Sequence, residues 1–251
     1  MFSTRRLSYL LLLGAAAFLF VYCNQGLQAS EEIVYLNLQD SERYMGMQTC
    51  RSCHSAVHDS YIHTGMGLSF DWATKDKTSA QYDHHSLVYS EETDFYYFPF
   101  FQDSSLYIRE FRLEGNDTTH NRVERVSYIV GSGQHTTSHI LDFNGYIYPA
   151  PITYYTQEGR WDMAPSYKEN NQRFSRLLTT ECITCHNHYP THVEGSMNKY
   201  THMPRGIECE RCHGPGEIHV REKLAGNIID TSRFADPTIV NPRRLPRDLL
   251  M

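Results

Sequence analysis

The stretch Cys209-Glu-Arg-Cys212-His213 is the most informative part of this sequence. Its pattern, two cysteines separated by two residues and followed directly by histidine, occurs three times. In chain order the three copies, here called the first, second and third motifs, are Cys50-Arg-Ser-Cys53-His54, Cys182-Ile-Thr-Cys185-His186 and Cys209-Glu-Arg-Cys212-His213. The motifs use six of the seven cysteines. The cysteines of this chain therefore serve one repeated chemical purpose.

The spacing within each motif predicts covalent attachment of haem c. Two thiols two residues apart reach the two vinyl groups of one porphyrin edge and form thioethers, and the adjacent histidine then lies under the iron as its proximal ligand. Three motifs predict three haems. The predicted thioether ligands are Cys50, Cys53, Cys182, Cys185, Cys209 and Cys212, and the predicted iron ligands are His54, His186 and His213.

Zinc and disulfide bonds are the two alternative uses of such cysteine pairs. The cysteines of the second and third motifs could together form a four-cysteine zinc ribbon. Zinc, however, does not require a histidine directly after the second cysteine, and disulfides within each pair leave the three histidines unexplained. The repeated histidine therefore favours haem.

The N-terminus has the pattern of an export segment, since Arg5 and Arg6 precede the apolar run of residues 7–22. Three outcomes remain open for this predicted signal or anchor, residues 1–29. Cleavage near Ala29, acylation of the unpaired Cys23 and retention as an uncleaved membrane anchor each fit part of the pattern. All three predict an exported protein, either periplasmic or anchored to the membrane and facing the periplasm.

The rest of the chain divides into four segments by composition. Residues 30–80 carry the first motif, and residues 81–165 are rich in β-branched and aromatic side chains that partly alternate. Residues 166–223 carry the second and third motifs, and residues 224–251 form a tail that we expect to continue beyond this chain. The predicted fold is a multihaem cytochrome c, with haem-packed short helices and loops and an antiparallel β insert: α+β with low regular structure.

Within the insert, Asn144-Gly145 stands between two apolar, alternating arms. This dipeptide is the strongest short-range indication of a tight hairpin, because its residues adopt the positive φ angles that such turns need. We therefore predict antiparallel strands on either side of it.

Charge and composition limit the partners. The net charge of −6 lacks the basic excess that a nucleic-acid surface needs. The expected partners are redox proteins, a donor and an acceptor that the sequence does not identify, together with the membrane if the N-terminal segment stays attached.

Each predicted iron also needs a sixth ligand or an open position. His219, which follows the Gly214-Pro215 loop, is the first candidate, and His135, after the Gly131-Ser132-Gly133 turn, is the second. For the first motif Met66 competes with two histidines, and methionine would raise the potential. The remaining histidines weighed for these positions are His58, His63, His139, His188 and His202.

Three stretches resemble the multihaem cytochromes c with doubled CxxCH motifs, which are related to the tetrahaem electron acceptor of ammonia oxidisers. The similarity is to the versions in chains that carry tetratricopeptide repeats. The stretches are GIECERCHGPGEIHV at 206–220, HTGMGLSF at 63–70 and YIVGSGQHTTSHI at 128–140. The resemblance implies a haem-packed fold, low-potential electron transfer, closely stacked haems and a further motif beyond this chain.

These observations predict an electron carrier that relays electrons from haem to haem. The alternative is an oxidoreductase that acts on a small nitrogen or sulfur compound at a haem with an open distal side. A third interpretation makes the haem region one module of a longer scaffold.

Overall fold

A computed structural model describes residues 33–245. The predicted export segment, Cys23 and the last residues of the predicted tail, 246–251, lie outside the described residues. Within residues 33–245, no helix is both long and apolar enough to cross a membrane.

Helical structure is sparse and lies close to the three motifs. The longest described helix has eight residues, which is too short to be stable alone, so each helix depends on its packing partners. The five α-helices are α1 Met47–Cys53, α2 Ser55–Tyr61, α3 Thr180–Thr184, α4 Glu210–His213 and α5 Glu217–Leu224, and three short 3-10 helices are Leu36–Leu38, His84–Ser86 and Pro242–Arg244.

Twelve described strands form the middle of the chain and one small later hairpin. They are β1 Phe70–Trp72, β2 Val88–Ser90, β3 Phe95–Gln102, β4 Ser105–Glu114, β5 Asp117–Arg125, β6 Tyr128–Val130, β7 Thr136–Phe143, β8 Tyr146–Pro149, β9 Ile152–Tyr155, β10 Arg160–Met163, β11 Thr191–His192 and β12 Tyr200–His202. Every described pairing is antiparallel. The prediction of an α+β chain with antiparallel strands and little helix is confirmed at this coarse level.

The strands form two larger sheets. The first is a meander in the order β2-β3-β4-β5. The second has the order β1-β6-β7-β9-β10, with β8 also paired to β7. Because β1 belongs to this second sheet, the β region begins at Phe70, upstream of residue 81 where the composition changes.

The predicted hairpin at Asn144-Gly145 is confirmed. Strands β7 and β8 pair in a register that places Phe143 opposite Tyr146, so only these two residues form the turn. Their φ angles are 54° and 89°, which are the positive values of the turn type that matches strand twist.

The six-stranded sheet is buried on both faces. Ile129 and Leu141 belong to a core shared with the four-stranded sheet. Their sequence neighbours Tyr128 and Ile140 belong to a second core on the opposite face, because successive strand residues point to opposite sides. The second core also contains Ile183, which lies between the two cysteines of the second motif. The sheet thus joins the β region to the second motif.

A buried charged network ties the four-stranded sheet to the chain that leads towards the second motif. The side chain of Glu110 is fully buried and accepts hydrogen bonds from Tyr97 at 3.0 Å and from Arg173 Nε at 2.9 Å. Burial acts to raise the pKa of Glu110, but its contacts with Arg173, Tyr97 and His120 hold this pKa below its usual value. The ionised carboxylate is therefore paired rather than isolated.

Candidate functional site

The first motif is a helix that breaks at its histidine. Helix α1 ends at Cys53, α2 begins at Ser55, and His54 lies between them. The backbone N–H of His54 donates to the carbonyl of Cys50 at 2.9 Å, so the first cysteine and the histidine lie one helical turn apart on one face. His54 is exposed. Its ring is therefore free to face a cofactor held by the neighbouring thiols.

The third motif repeats this arrangement. The N–H of His213 donates to the carbonyl of Cys209 at 3.1 Å. The helix then ends at Gly214, whose φ of 72° suits glycine and whose missing side chain leaves room for Asn37, since a Cβ there would meet Asn37 Nδ2 at 2.8 Å. Asn37 donates to the carbonyls of His213 and Pro215 at 2.9 and 3.0 Å. The loop after the motif is thereby held in one conformation.

The buried carboxylate of Glu210 joins the first and third motifs. Its oxygens accept hydrogen bonds from the N–H groups of Met45 and Gly46, just before α1, at 2.8 and 2.7 Å. A third bond of 2.7 Å comes from Gly216, beyond the third motif. Hydrogen bonding between the Cys50 and Cys209 thiols raises the pKa of Cys50 and lowers that of Cys209 to about 7. The attachment cysteines of two motifs are therefore neighbours.

The rings of His54 and His219 lie near each other in nearly parallel planes. Their centroids lie 6.4 Å apart, and their planes differ by 21°. Two imidazoles bonded to opposite sides of one metal ion, each through a bond of about 2 Å, have centroids about 6 Å apart. His54 and His219 are therefore far enough apart that they would be able to hold one iron between them if the first motif carries haem.

Hydrogen bonds fix the tautomer of His219. Thr238 Oγ1 donates to Asp236 Oδ1 at 2.5 Å, because a carboxylate oxygen can only accept. The same hydroxyl lies 3.0 Å from His219 Nδ1. Its hydrogen is already used, so it accepts from Nδ1–H, and the lone pair of His219 lies on Nε2. The imidazole is thus prepared to bind a metal through Nε2.

The tautomer of His213 is fixed in the same way by a backbone group. Its Nδ1 lies 2.8 Å from the carbonyl oxygen of Val240. That oxygen can only accept, so Nδ1 carries the hydrogen and Nε2 is available for iron. The N–H of Val240 in turn donates to the carbonyl of His213 at 3.1 Å. The axial role predicted for His213 is compatible with this geometry.

The second motif rests on the six-stranded sheet. Ile183 is 2% exposed and packs with Phe70, Tyr128, Ile140, Ile147 and Tyr200. Its two cysteines and His186 are exposed, on the side away from this core. Ser69 Oγ, at the start of the sheet, lies 2.8 Å from the carbonyl oxygen of His186 and 2.7 Å from that of Met66, so its one hydrogen is shared between them. The sheet therefore positions the second motif, as the carboxylate of Glu210 positions the other two.

Polar atoms without partners cluster after the second motif. Among the described residues, Asn187 is fully buried and neither its oxygen nor its nitrogen has a hydrogen-bond partner. His192 Nε2 and the Tyr200 hydroxyl also lack partners, and the two rings are 5.2 Å apart. Buried polar atoms are normally paired. These atoms are therefore free to contact a group bound at the second motif.

The other candidate ligands lie in different surroundings. His135 is exposed, and its Nδ1 accepts from Gln157 Nε2 at 2.7 Å at the end of the six-stranded sheet. His139 is fully buried within that sheet, with its ring 4.8 Å from that of Trp161. Burial lowers the pKa of His139 to about 3, so it is a neutral core side chain. The structure thus brings His219 to a motif and places these two histidines in the β region.

The remaining candidate ligands differ in how far their side chains are buried. Met66 is 55% exposed, and its carbonyl accepts from the N–H of Ile207, which precedes the third motif. His58 is 7% exposed, and its Nδ1 lies 3.0 Å from Asp59. His63 and His202 are exposed. None of these contacts produces a ring pair like that of His54 and His219.

His188 lies beside the third motif although it follows the second. It is 7% exposed and meets the ring of Tyr44 edge-on at 5.5 Å. Burial lowers its pKa, and the nearby carboxylates of Glu208 and Glu210 oppose this shift. The segment after the second motif therefore packs against the third.

Five residues of this region were not predicted from the sequence: Asn37, Glu210, Asp236, Thr238 and Val240. Glu210 occupies a variable position inside its motif, and residues 236–240 lie in the segment classed only as a tail. The sequence Asp236-Pro-Thr238 suggests no more than a turn. Only the folded chain shows that Asn37 and Val240 contact His213, and that Asp236 and Thr238 contact His219. Glu210 instead joins the segments of the first and third motifs.

The geometry of the described residues is compatible with haem. Within residues 33–245, no group of three or more histidine, cysteine, aspartate or glutamate side chains is arranged to hold a metal ion. Four of the six motif thiols are exposed and two are partly buried. Together with the tautomers of His213 and His219, these thiols could hold haem.

Comparison with known proteins supports this assignment for part of the chain. Residues 155–214 match the family model described as cytochrome c554 and c-prime. The matched span contains the second and third motifs but less than half of the chain. It supports a c-type cytochrome that carries covalent haem iron and transfers electrons. No curated protein matches the chain.

A solved structure, that of the outer cell wall cytochrome OcwA, is similar with 17% sequence identity and a TM-score of 0.44. The similarity covers 72% of this chain and 34% of that one. This chain thus spans about a third of the length of that cytochrome.

Proposed function

We propose that this chain is an exported c-type cytochrome that carries three covalent haems and relays electrons between redox partner proteins. The observation that carries the proposal is the junction of the first and third motifs, where Glu210 bridges the two and Cys50 lies beside Cys209. Haems held there would lie close together, which is the arrangement that electron transfer between them requires. The resemblance in sequence to multihaem cytochromes agrees with this proposal.

The chain supplies the ligands and their orientation. The six motif cysteines would form the thioethers, and His54, His186 and His213 would bind the irons from the proximal side. His219 would complete the coordination at the first motif, because its ring centroid lies 6.4 Å from that of His54. When bound, haem supplies reversible one-electron chemistry, and two histidines per iron favour a low-spin carrier.

The exposed faces of the motifs suit exchange with partner proteins. His54, His186 and His213 are all exposed in the described chain, so cofactors attached beside them would be reached from the surface. A periplasmic location, or one facing the periplasm from a membrane anchor, supports the same proposal because c-type haem is attached outside the cytoplasm.

The experiment that tests the proposal is intact-protein mass spectrometry of the exported, purified chain. We expect the mass of three haems in addition to the polypeptide. Replacement of both cysteines of one motif by alanine should remove the mass of one haem and leave the mass of the other two. Zinc in place of haem, or no added mass, would refute the proposal.

A second function is favoured by the unpaired polar atoms after the second motif. Asn187, His192 and Tyr200 could stabilise a small anion at a haem with an open distal side, in which case the chain would be an oxidoreductase acting on a small nitrogen or sulfur compound. Electron paramagnetic resonance separates the two functions. A high-spin ferric haem that responds to nitrite or sulfite supports the enzyme, and a spectrum with low-spin signals alone excludes it.

A further inference from the structure

We infer that residues 236–240, here called the strap, orient the axial histidines of two haem sites, and that Thr238 and Asp236 are positioning residues for His219. This inference rests on the proposed function, since it assigns the strap a role towards haem. The strap contains three buried residues, Asp236, Thr238 and Val240, although it lies in a segment with almost no regular structure.

The strap reaches His219 through a directed chain of hydrogen bonds. His219 Nδ1–H donates to Thr238 Oγ1 at 3.0 Å, and that hydroxyl donates to Asp236 Oδ1 at 2.5 Å. Lys223 Nζ lies 2.7 Å from the other carboxylate oxygen. The lysine holds the carboxylate ionised and in place. That carboxylate oxygen also lies 3.5 Å from His219 Nδ1. For a neutral imidazole, the order of donors and acceptors therefore places the hydrogen on Nδ1 and the lone pair on Nε2.

The other end of the strap reaches His213. The carbonyl of Val240 accepts from His213 Nδ1 at 2.8 Å, and the N–H of Val240 donates to the His213 carbonyl at 3.1 Å. One segment of five residues thus supplies the outer hydrogen bond to a histidine of the first haem site and to the histidine of the third.

The first described residues of the chain form hydrogen bonds with the strap and with the third motif. The N–H of Leu36 donates to the carbonyl of Pro237 at 2.7 Å. The adjacent Asn37, fully buried, binds the carbonyls of His213 and Pro215. Contacts within the polypeptide therefore fix the strap relative to the third motif.

The chemical consequence concerns the basicity of His219. An imidazole whose Nδ1–H is bonded, through a hydroxyl, to a carboxylate is a stronger electron donor to its metal than an imidazole bonded to water. Stronger donation favours ferric over ferrous iron and lowers the reduction potential. The strap should accordingly hold the haem between His54 and His219 at a lower potential than the same ligands would give without it.

The test replaces Thr238 in the haem-loaded protein and measures the reduction potential of each haem by spectroelectrochemical titration. Thr238→Val keeps the side-chain shape and removes the hydroxyl. We expect the ratio of reduced to oxidised haem to rise about tenfold at the original midpoint of one haem, which is about 59 mV for a one-electron couple. The low-spin resonance signal of that haem should shift as well.

Two further variants and one control define the outcome. Thr238→Ser retains the hydroxyl and should have the same reduction potential as the unaltered protein. Asp236→Asn removes the negative charge and should raise the reduction potential, as Thr238→Val does. Thr118→Val, at an exposed position on strand β5, should change nothing. Mass spectrometry of each variant confirms that haem content is unchanged.

The results test the positioning role of the strap separately from the proposed function. If the unaltered protein carries haem but Thr238→Val and Asp236→Asn leave every potential and resonance signal unchanged, the positioning role is wrong while the cytochrome stands. If the unaltered protein carries no haem, the proposed function itself fails.

Discussion

Two histidines, His213 and His219, differ from ordinary surface histidines because a fixed acceptor holds each Nδ1. A backbone carbonyl does this for the first and a threonine hydroxyl for the second. Each Nε2 is thereby left as the only free basic nitrogen. At the scale of single residues, these contacts leave each ring in the neutral tautomer that could bind a metal through Nε2.

This preparation predicts the effect of removing His219. In the haem-loaded protein, His219→Ala should convert one low-spin ferric haem to a high-spin form, because its iron loses a strong-field axial ligand. Electron paramagnetic resonance measures the change directly.

His63→Ala and Met66→Ala are matched controls for that experiment, since both residues are exposed and both competed for the same iron. Their spectra should remain low-spin. A high-spin haem in Met66→Ala, with an unchanged spectrum in His219→Ala, would assign the sixth ligand of the first haem to methionine instead.

At the scale of secondary-structure elements, the hairpin of β7 and β8 does more than reverse the chain. The carbonyl of Gly145 in its turn accepts from the N–H of Tyr200 at 2.9 Å, and Tyr200 packs on Ile183 inside the second motif. The turn therefore positions the segment of the second motif, which lies far away in sequence.

Replacement of Gly145 should be costly for two reasons. The residue has a φ of 89°, and an added Cβ would lie 2.5 Å from the carbonyl oxygen of Tyr200. We expect Gly145→Ala to lower the free energy of unfolding by about 2 kcal/mol more than Gly159→Ala does. Denaturant titration of the haem-loaded protein measures the difference.

Gly159 is a suitable control because it also has a positive φ, 66°, but a Cβ there would meet nothing within 4 Å. Its replacement should cost about 1 kcal/mol, from backbone conformation alone. Equal losses of unfolding free energy in the two variants would show that the turn at Gly145 does not pack closely against Tyr200.

At the scale of the whole molecule, the six-stranded sheet is the structural centre, since one face packs on the four-stranded sheet and the other on the second motif. His139, which is 1% exposed, lies within this sheet. Burial lowers its pKa to about 3. His139 therefore stays neutral in the folded chain at pH values at which the unfolded chain protonates it.

This exclusion predicts a pH dependence of stability. An unfolded histidine titrates near 6.5, so below that pH the unfolded state binds a proton that the folded state does not. The free energy of unfolding should fall by up to about 1.4 kcal/mol per pH unit as pH decreases from 6.5 towards 3. Urea titrations at several pH values measure this slope.

His139→Leu removes the titrating group from the core and should make the slope shallower over that pH range. His85→Leu, at an exposed histidine, should leave the slope unchanged. An identical slope in His139→Leu and the unaltered protein would contradict the burial of a neutral imidazole at this position.

Much of the coarse organisation could be predicted from local sequence. The motif fixes cysteine and histidine one helical turn apart, as found for Cys50 and His54. Asn144-Gly145 predicts its turn from the φ angles that these residues tolerate. Both are local effects, and each depends on residues within a few positions of one another.

Pairing between distant segments could not be predicted in this way. Nothing in the sequence links Glu210 to Gly46, or Thr238 to His219, because neither pair belongs to one helix or one hairpin. Such contacts depend on how loops of irregular backbone pack, and no periodic pattern records that packing. The sequence alone therefore determined which residues are suited to hold haem, through covalent spacing and local φ preferences. The tertiary structure decided which histidine faces which motif and which tautomer it carries, because hydrogen bonds from distant segments control both.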